Sequence, residues 1–234
     1  MTHQKTISFI GSHECTVFHL PSAPKEEAGQ PFSVLIQPVD SHDLGELDKE
    51  IAFIEQHYGN NFLFAAFKIQ KWNEELTPWE APPAFGKIPF GNKAPSTLLY
   101  IEHELIPAIR RLYGLEQSQT RYYLGGYSLA GLFALWASYQ STSFHGIASA
   151  SPSVWFKNWL DYAAQRSPTL QLAYLSLGDR EEHTKTEIMS HVGECIRRQY
   201  ELYRKAGHTA PLSGTRATTS KTTANGQPKD SSGY

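Results

Sequence analysis

The sequence predicts an α/β fold, a three-layer sandwich with helices on both sides of a mostly parallel central sheet. Three observations lead there. Short apolar runs alternate with stretches of helical periodicity from residue 31 to residue 205. Phe62–Ile69 is almost continuously apolar, as a strand buried on both faces must be. Residues 121–131, Arg-Tyr-Tyr-Leu-Gly-Gly-Tyr-Ser-Leu-Ala-Gly, read as a strand turning sharply into a helix, with Ser128 at the corner. Such a corner needs small neighbours, because its strained backbone brings strand and helix close together.

The elements follow in order. Residues 5–20 alternate as an opening strand or hairpin, and residues 31–38 form a short apolar strand ending at Pro38. Gly45–His57 reads as a helix with Leu47, Ile51 and Ile54 on one face. After the Phe62–Ile69 strand, Lys71 to about Ser96 is rich in Pro, Trp and Phe but lacks periodicity, so an ordered loop over the sheet edge is expected. Thr97–Leu112 is a helix bent at Pro107 and closed by Tyr113-Gly114. There follow a strand at 121–125, a helix at 129–139 and a strand at 145–150. Trp155–Ala164 is a short helical excursion, Leu172–Leu177 a strand, and Thr186–Lys205 a final helix.

Composition narrows the function. A chain of 234 residues, 40% hydrophobic, suits one domain, placed at residues 1–207. A net charge of -2, with no concentrated basic patch before residue 197, argues against nucleic acid as a partner. No run approaches the roughly 20 apolar residues of a membrane span, and the N-terminus lacks a signal-peptide pattern. Cys15 and Cys195 stand far apart without metal spacing and read as free thiols, so the expected location is cytoplasmic. No metal or organic cofactor is expected, because there is neither a spaced ligand cluster nor a glycine-rich dinucleotide fingerprint.

Ser128 is the candidate nucleophile. Its surroundings, Gly-Tyr-Ser-Leu-Ala-Gly, match the nucleophile elbow of serine hydrolases, with Ala130 where a second glycine usually stands. At a helix N-terminus it feels the positive end of the macrodipole, and the N–H of Leu129 points where an oxyanion would develop. A second oxyanion donor is expected just after the Val34–Gln37 strand, at Val39 to Ser41. The Leu172–Leu177 strand runs into Gly178-Asp179-Arg180-Glu181-Glu182-His183. A carboxylate there satisfies the chain order Ser…Asp/Glu…His and would hold a histidine in its working tautomer. Glu181 is the expected acid, with Asp179 and Glu182 as alternatives. A solvated loop capping the next helix is the competing reading. The base is less well marked, and His183 and His208 are the candidates. Trp72, Trp79 and Trp155, with Tyr127 beside the serine, would wall the substrate pocket.

Residues 1–205 resemble the esterase branch of the α/β-hydrolase superfamily, related to esterase D and the trilactone siderophore esterases. The resemblance rests on Trp72-Asn-Glu-Glu-Leu-Thr-Pro-Trp79, the serine corner, Ser149-Ala-Ser-Pro-Ser-Val-Trp155 and Leu175-Ser-Leu-Gly-Asp-Arg-Glu-Glu-His-Thr184. It implies Ser128 as nucleophile, Glu181 as acid and hydrolysis of a small-molecule ester or thioester. The family ends in a strand, a Gly-Asn-His-Phe segment bearing the catalytic histidine, and a helix. Here residues 208–234 are instead rich in Thr, Ser, Ala, Lys, Gly and Pro, a composition of disordered chain, so that strand and helix are expected to be missing.

Back-translation offers a reason for the difference. Read from each codon's third base, His208 onward permits Tyr-Cys-Thr-Leu-Glu-Trp-Asn, and Arg216 to Ser220 permits Gly-Asn-His-Phe. Asn225 onward permits Arg-Thr-Ala-Lys-Gly-Phe, one variable residue, then Trp. A frameshift near codon 207–208 is therefore expected, with impaired turnover and a homodimer covering the exposed sheet. The rival reading is a non-catalytic binding protein of the same fold.

Overall fold

The computed structural model describes residues 3–20, 31–59, 61–84, 86–170, 172–178, 192–207 and, for the backbone, 212–215. Its strands are β1 (Gln4–Ile10), β2 (His13–His19), β3 (Phe32–Val39), β4 (Phe62–Lys68), β5 (Thr120–Tyr127), β6 (Gly146–Ala150), β7 (Leu172–Gly178) and β8 (Leu212–Thr215). They form one sheet in the order β1-β2-β4-β3-β5-β6-β7-β8. β1, β2 and β4 pair antiparallel, and every pair from β4 across to β8 is parallel. Parallel neighbours need crossovers, and the helices supply them.

One face carries α1 (Asp43–Tyr58), whose Leu47 and Ile51 pack on Phe18, Val39, Phe62, Phe64 and Ala66. The long loop contains a single turn, α2 (Trp72–Glu75), that the sequence reading did not anticipate. The opposite face takes α3 (Ala94–Tyr100), α4 (Ile106–Tyr113), α5 (Leu129–Ala137), α6 (Trp159–Ala164) and α7 (Val192–Lys205). These share one core with Val34, Ile36, Leu124 and Leu175 of the sheet. The result is the expected three-layer sandwich. All nine residues of α5 are buried, which is why this helix is apolar all round.

Pro107 does not break its helix. Between α3 and α4, Ile101–Leu105 forms a π turn in which the N–H of Ile106 reaches back to Ile101 O. The wider turn accommodates a proline that brings no N–H and crowds the preceding carbonyls. The loop from Lys71 is ordered by its own backbone bonds, Gly91 N–H to Asn73 O (3.0 Å) and Lys93 N–H to Glu74 O (2.9 Å). Buried Thr77 donates to Asn73 O (2.5 Å).

One expectation is corrected after residue 207. A strand is present there: β8 pairs in parallel with β7, with Leu212 opposite Leu175 and Thr215 opposite Gly178. Sheet extension uses backbone groups, so a tetrapeptide of Leu, Ser, Gly and Thr can supply it.

Among the described residues, the α1 layer is shorter than the sheet. Leu35, packed toward α1, lies in register with Tyr123, which pairs with Gly146 and through it with Leu172. The next row on that face is Gly125, Ala148 and Tyr174. Here Ala148 is exposed, and Leu172 and Tyr174 stand 40% and 38% exposed.

Candidate active site

β5 ends at Tyr127 and α5 begins at Leu129, so the chain reverses on Ser128 alone. Its φ of 58° and ψ of -117° are backbone values that a residue with a side chain rarely adopts. Three hydrogen bonds hold it there. Ser128 N–H donates to Ala150 O (3.1 Å), while its carbonyl accepts from the N–H of Leu132 (3.0 Å) and of Ser153 (3.1 Å).

The small neighbours have separate reasons. A Cβ on Gly126 would stand 2.5 Å from the Cβ of Ala130, and one on Gly131 would stand 3.0 Å from Ser149 Oγ and 3.1 Å from Gly126 O. Ala130 fits because it packs against a residue that lacks a Cβ. Gly125 is different, since its nearest neighbour would be an ordinary contact at 3.5 Å.

Half-buried Ser128 presents its Oγ 3.3 Å from the Oγ of Ser153, a residue only 2% exposed. Ser153 is the one side chain within hydrogen-bond reach of that oxygen among the described residues. Ser153 was not among the expected site residues, although it lies in the Ser149–Trp155 segment that bears the family resemblance. A second strained serine, Ser151 (φ 42°), directly follows the neighbouring strand β6. Its N–H donates to Ser176 O (2.8 Å), and its Oγ accepts from Gly178 N–H (3.4 Å). Thus the ends of β5, β6 and β7 are tied together at one edge of the sheet, where α/β folds place their ligands.

Leu129 is the first residue of α5, so its N–H has no acceptor within the helix. Val39 is fully buried, and its carbonyl accepts the N–H of Ile69 (2.8 Å) on the β4 side. The next amide, that of Asp40, donates to Asp43 Oδ2 (3.2 Å). Asp40, His42 and Asp43 bring donor atoms within 4.8 Å of one another. Asp40 Oδ1 is nevertheless engaged by the N–H groups of His42 (2.7 Å) and Asp43 (2.8 Å), so it closes the turn that leads into α1.

The aromatic candidates separate. Trp72 lines a cavity of about 920 Å³ in the long loop, with Gln70, Glu80, Pro82, Ile88 and Phe90. Trp155 is half-buried, its ring 6.2 Å from that of Phe90. Trp79 is turned into the α6 aromatic cluster, 5.6 Å from Phe156 and 5.1 Å from Tyr162, with its Nε1 donating to Lys157 O (2.9 Å). Tyr127 is 57% exposed beside Ser128. The described walls of the cavity do not include Ser128. Asp179, Glu181, Glu182, His183 and His208 lie outside the described residues.

Comparison with known proteins agrees with the architecture. The family described as Putative esterase matches residues 68–230. Siderophore hydrolase EstA from Aspergillus nidulans is similar in structure, with a TM-score of 0.63 at 17% identity over 92% of this chain and 88% of that one. An IroE-like serine hydrolase from Shewanella oneidensis gives 0.66 at 15% identity, over 90% and 73%. A ferulic acid esterase gives 0.61 at 10% identity, over 92% and 89%. No curated protein matches by sequence. At these identities the structural likenesses speak to the fold, while the family match spans more than half of the sequence. The chain belongs to the Putative esterase family, which places it among the serine-esterase-type hydrolases.

Proposed function

We propose that this protein hydrolyses carboxylic esters or thioesters through an acyl-enzyme on Ser128. The observation that carries the proposal is the backbone of Ser128, held at φ 58° by three hydrogen bonds and flanked by Gly126, where a Cβ would clash with Ala130. Strain of this kind costs about 1–3 kcal/mol and persists where its geometry is used. Such a corner lifts Oγ clear of the strand end and aims the Leu129 N–H at the carbonyl oxygen under attack.

In the proposed reaction, Ser128 Oγ attacks the ester carbon, and its proton passes to a histidine, His183 or His208. The oxyanion rests on the Leu129 amide and on a second amide in the Val39–Ser41 stretch. Glu181, or else Asp179 or Glu182, orients the imidazole. The alcohol or thiol leaves with the proton, and water then releases the acid. Trp72, Trp155 and Tyr127 are placed beside the substrate. A small-molecule ester is the substrate class, in keeping with relatives named as siderophore hydrolase and ferulic acid esterase.

We further infer that the tail from residue 208 arises from a frameshift, which removes the family's histidine segment and weakens turnover. Its composition, the family-like sequence in the alternative frame and the exposed patch of Ala148, Leu172 and Tyr174 support this reading. The same patch is proposed as the seat of a homodimer. A cytoplasmic location is retained from the free thiols of Cys15 and Cys195.

Hydrolysis of a simple aryl ester tests the assignment. The chain as it stands should turn over slowly. Restoring the alternative-frame terminus should raise the rate about 10³-fold or more, and Ser128→Ala should abolish the gain. The frameshift falls if the gene carries no open frame encoding Gly-Asn-His-Phe at that place. A binding protein without turnover is the second reading, because the side chain meeting Ser128 among the described residues is a serine rather than a histidine. Binding of an ester that remains intact even with the restored terminus would favour it.

A further inference from the structure

We infer that Ser153 is a positioning residue for Ser128, its hydroxyl donating to Ser128 Oγ; the inference rests on the reading of Ser128 as nucleophile. Two independent links join the residues. The Ser153 amide donates to the Ser128 carbonyl at 3.1 Å, and the two hydroxyl oxygens lie 3.3 Å apart.

Ser153 is well suited to hold a fixed direction. It follows Pro152, whose ring restricts the backbone. Its own carbonyl accepts Phe156 N–H at 2.9 Å. At 2% exposure its hydroxyl has little access to water, so Ser128 Oγ is its partner in place of solvent.

The direction of the hydrogen bond follows from chemistry. A nucleophilic Ser128 must keep its own O–H free to point at a base, so the bridging proton belongs to Ser153. A hydrogen bond received at Oγ restricts rotation about χ1 and favours the alkoxide over the neutral hydroxyl. Both effects matter twice. They align Oγ before attack, and they stabilise the oxygen when it departs from the acyl-enzyme. Ser151 extends the arrangement by holding Gly178 N–H, the last described amide before Asp179. The turn at 151–153 thus ties the serine corner to the end of β7.

A fluorophosphonate label tests the inference without requiring full turnover. The Oγ–phosphorus bond forms as the phosphorus–fluorine bond breaks, fluoride leaves, and the serine proton goes to a base or to solvent. The full chain should be labelled at Ser128, as located by mass spectrometry, and Ser128→Ala should not. Ser153→Ala should label about tenfold more slowly, the usual worth of one neutral hydrogen bond. Its rate-against-pH curve should move to higher pH, because the alkoxide has lost a donor. Ser153→Thr, which keeps the hydroxyl, should recover most of the rate, and thermal melting should show each variant folded. Absence of labelling at Ser128 both in the unaltered chain and in the chain with the alternative-frame terminus restored would overturn the esterase reading and this inference with it. Normal labelling of Ser128 with Ser153→Ala unchanged in rate and pH profile would overturn this inference alone. A folded Ser153→Thr as slow as Ser153→Ala would do the same.

Discussion

Gly125 and Gly126 are adjacent in sequence and opposite in tolerance. A methyl on Gly126 would enter the Cβ and backbone of Ala130 at 2.5 and 2.6 Å, whereas one on Gly125 meets nothing nearer than 3.5 Å. Gly126→Ala is therefore expected to cost about 3 kcal/mol by overpacking, and Gly125→Ala to be close to neutral, as read from parallel thermal or urea melts. Ser128 offers a second comparison. Ser128→Gly and Ser128→Ala both remove the hydroxyl and should both be inactive. Only glycine relaxes φ 58°, so the glycine variant should be the more stable by about 1 kcal/mol. Equal stabilities would show that the corner stores no strain. The sequence marked Ser128 because small residues cluster around it. It could not rank those glycines, since Ala130 and Ser149 come against them only when β5, α5 and β6 pack.

At the scale of the element, α1 carries a titratable group on its sheet-facing edge. Desolvation pushes the Glu50 carboxyl above the ordinary carboxylate range, opposed by a hydrogen bond from Gln37 Nε2 (3.3 Å) and assisted by the charge of Asp43. A carboxyl raised on folding holds its proton more tightly in the native state than in the unfolded one. Stability from this group is thus full below the unfolded value and declines as pH rises through the folded value. Glu50→Gln should match the unaltered protein in stability at acid pH and exceed it at neutral pH. Denaturant midpoints measured across that range check the sign, and a variant less stable at neutral pH would contradict it. The helix itself was legible from Leu47, Ile51 and Ile54. Glu50 was not, because its place against Gln37 depends on how α1 lies across β3.

For the whole molecule, the part of the α1 face that no described helix covers dominates. Tyr123, Ala148, Leu172 and Tyr174 form a largely apolar surface in register across β5, β6 and β7. At about 25 cal/mol per Å², a few hundred Å² of such surface amounts to several kcal/mol, comparable with a domain's net stability. The full chain should therefore associate with itself as concentration rises. Leu172→Glu combined with Tyr174→Glu should leave a folded monomer, as measured by sedimentation velocity and circular dichroism. A strictly monomeric parent chain would remove the case for a homodimer.

The amino-acid sequence by itself determined the alternation of strands and helices, the buried β4, the serine corner and the resemblance to an esterase family. Each depends on local periodicity or on short-range residue identity, and a linear chain displays both. Tertiary structure decided the rest. Whether Pro107 kinks or is absorbed by a π turn depends on what holds the helix on either side of it. Trp79 was expected beside the substrate, and its packing on Phe156 and on Tyr162 of α6 was not legible in advance, because an indole alone does not specify which apolar surface it will meet. β8 formed from residues with no strand signature, because its pairing with β7 rests on backbone groups that every such sequence possesses. Ser153 came within 3.3 Å of Ser128 from 25 residues away, across two parallel strands whose ends meet only in the folded sheet.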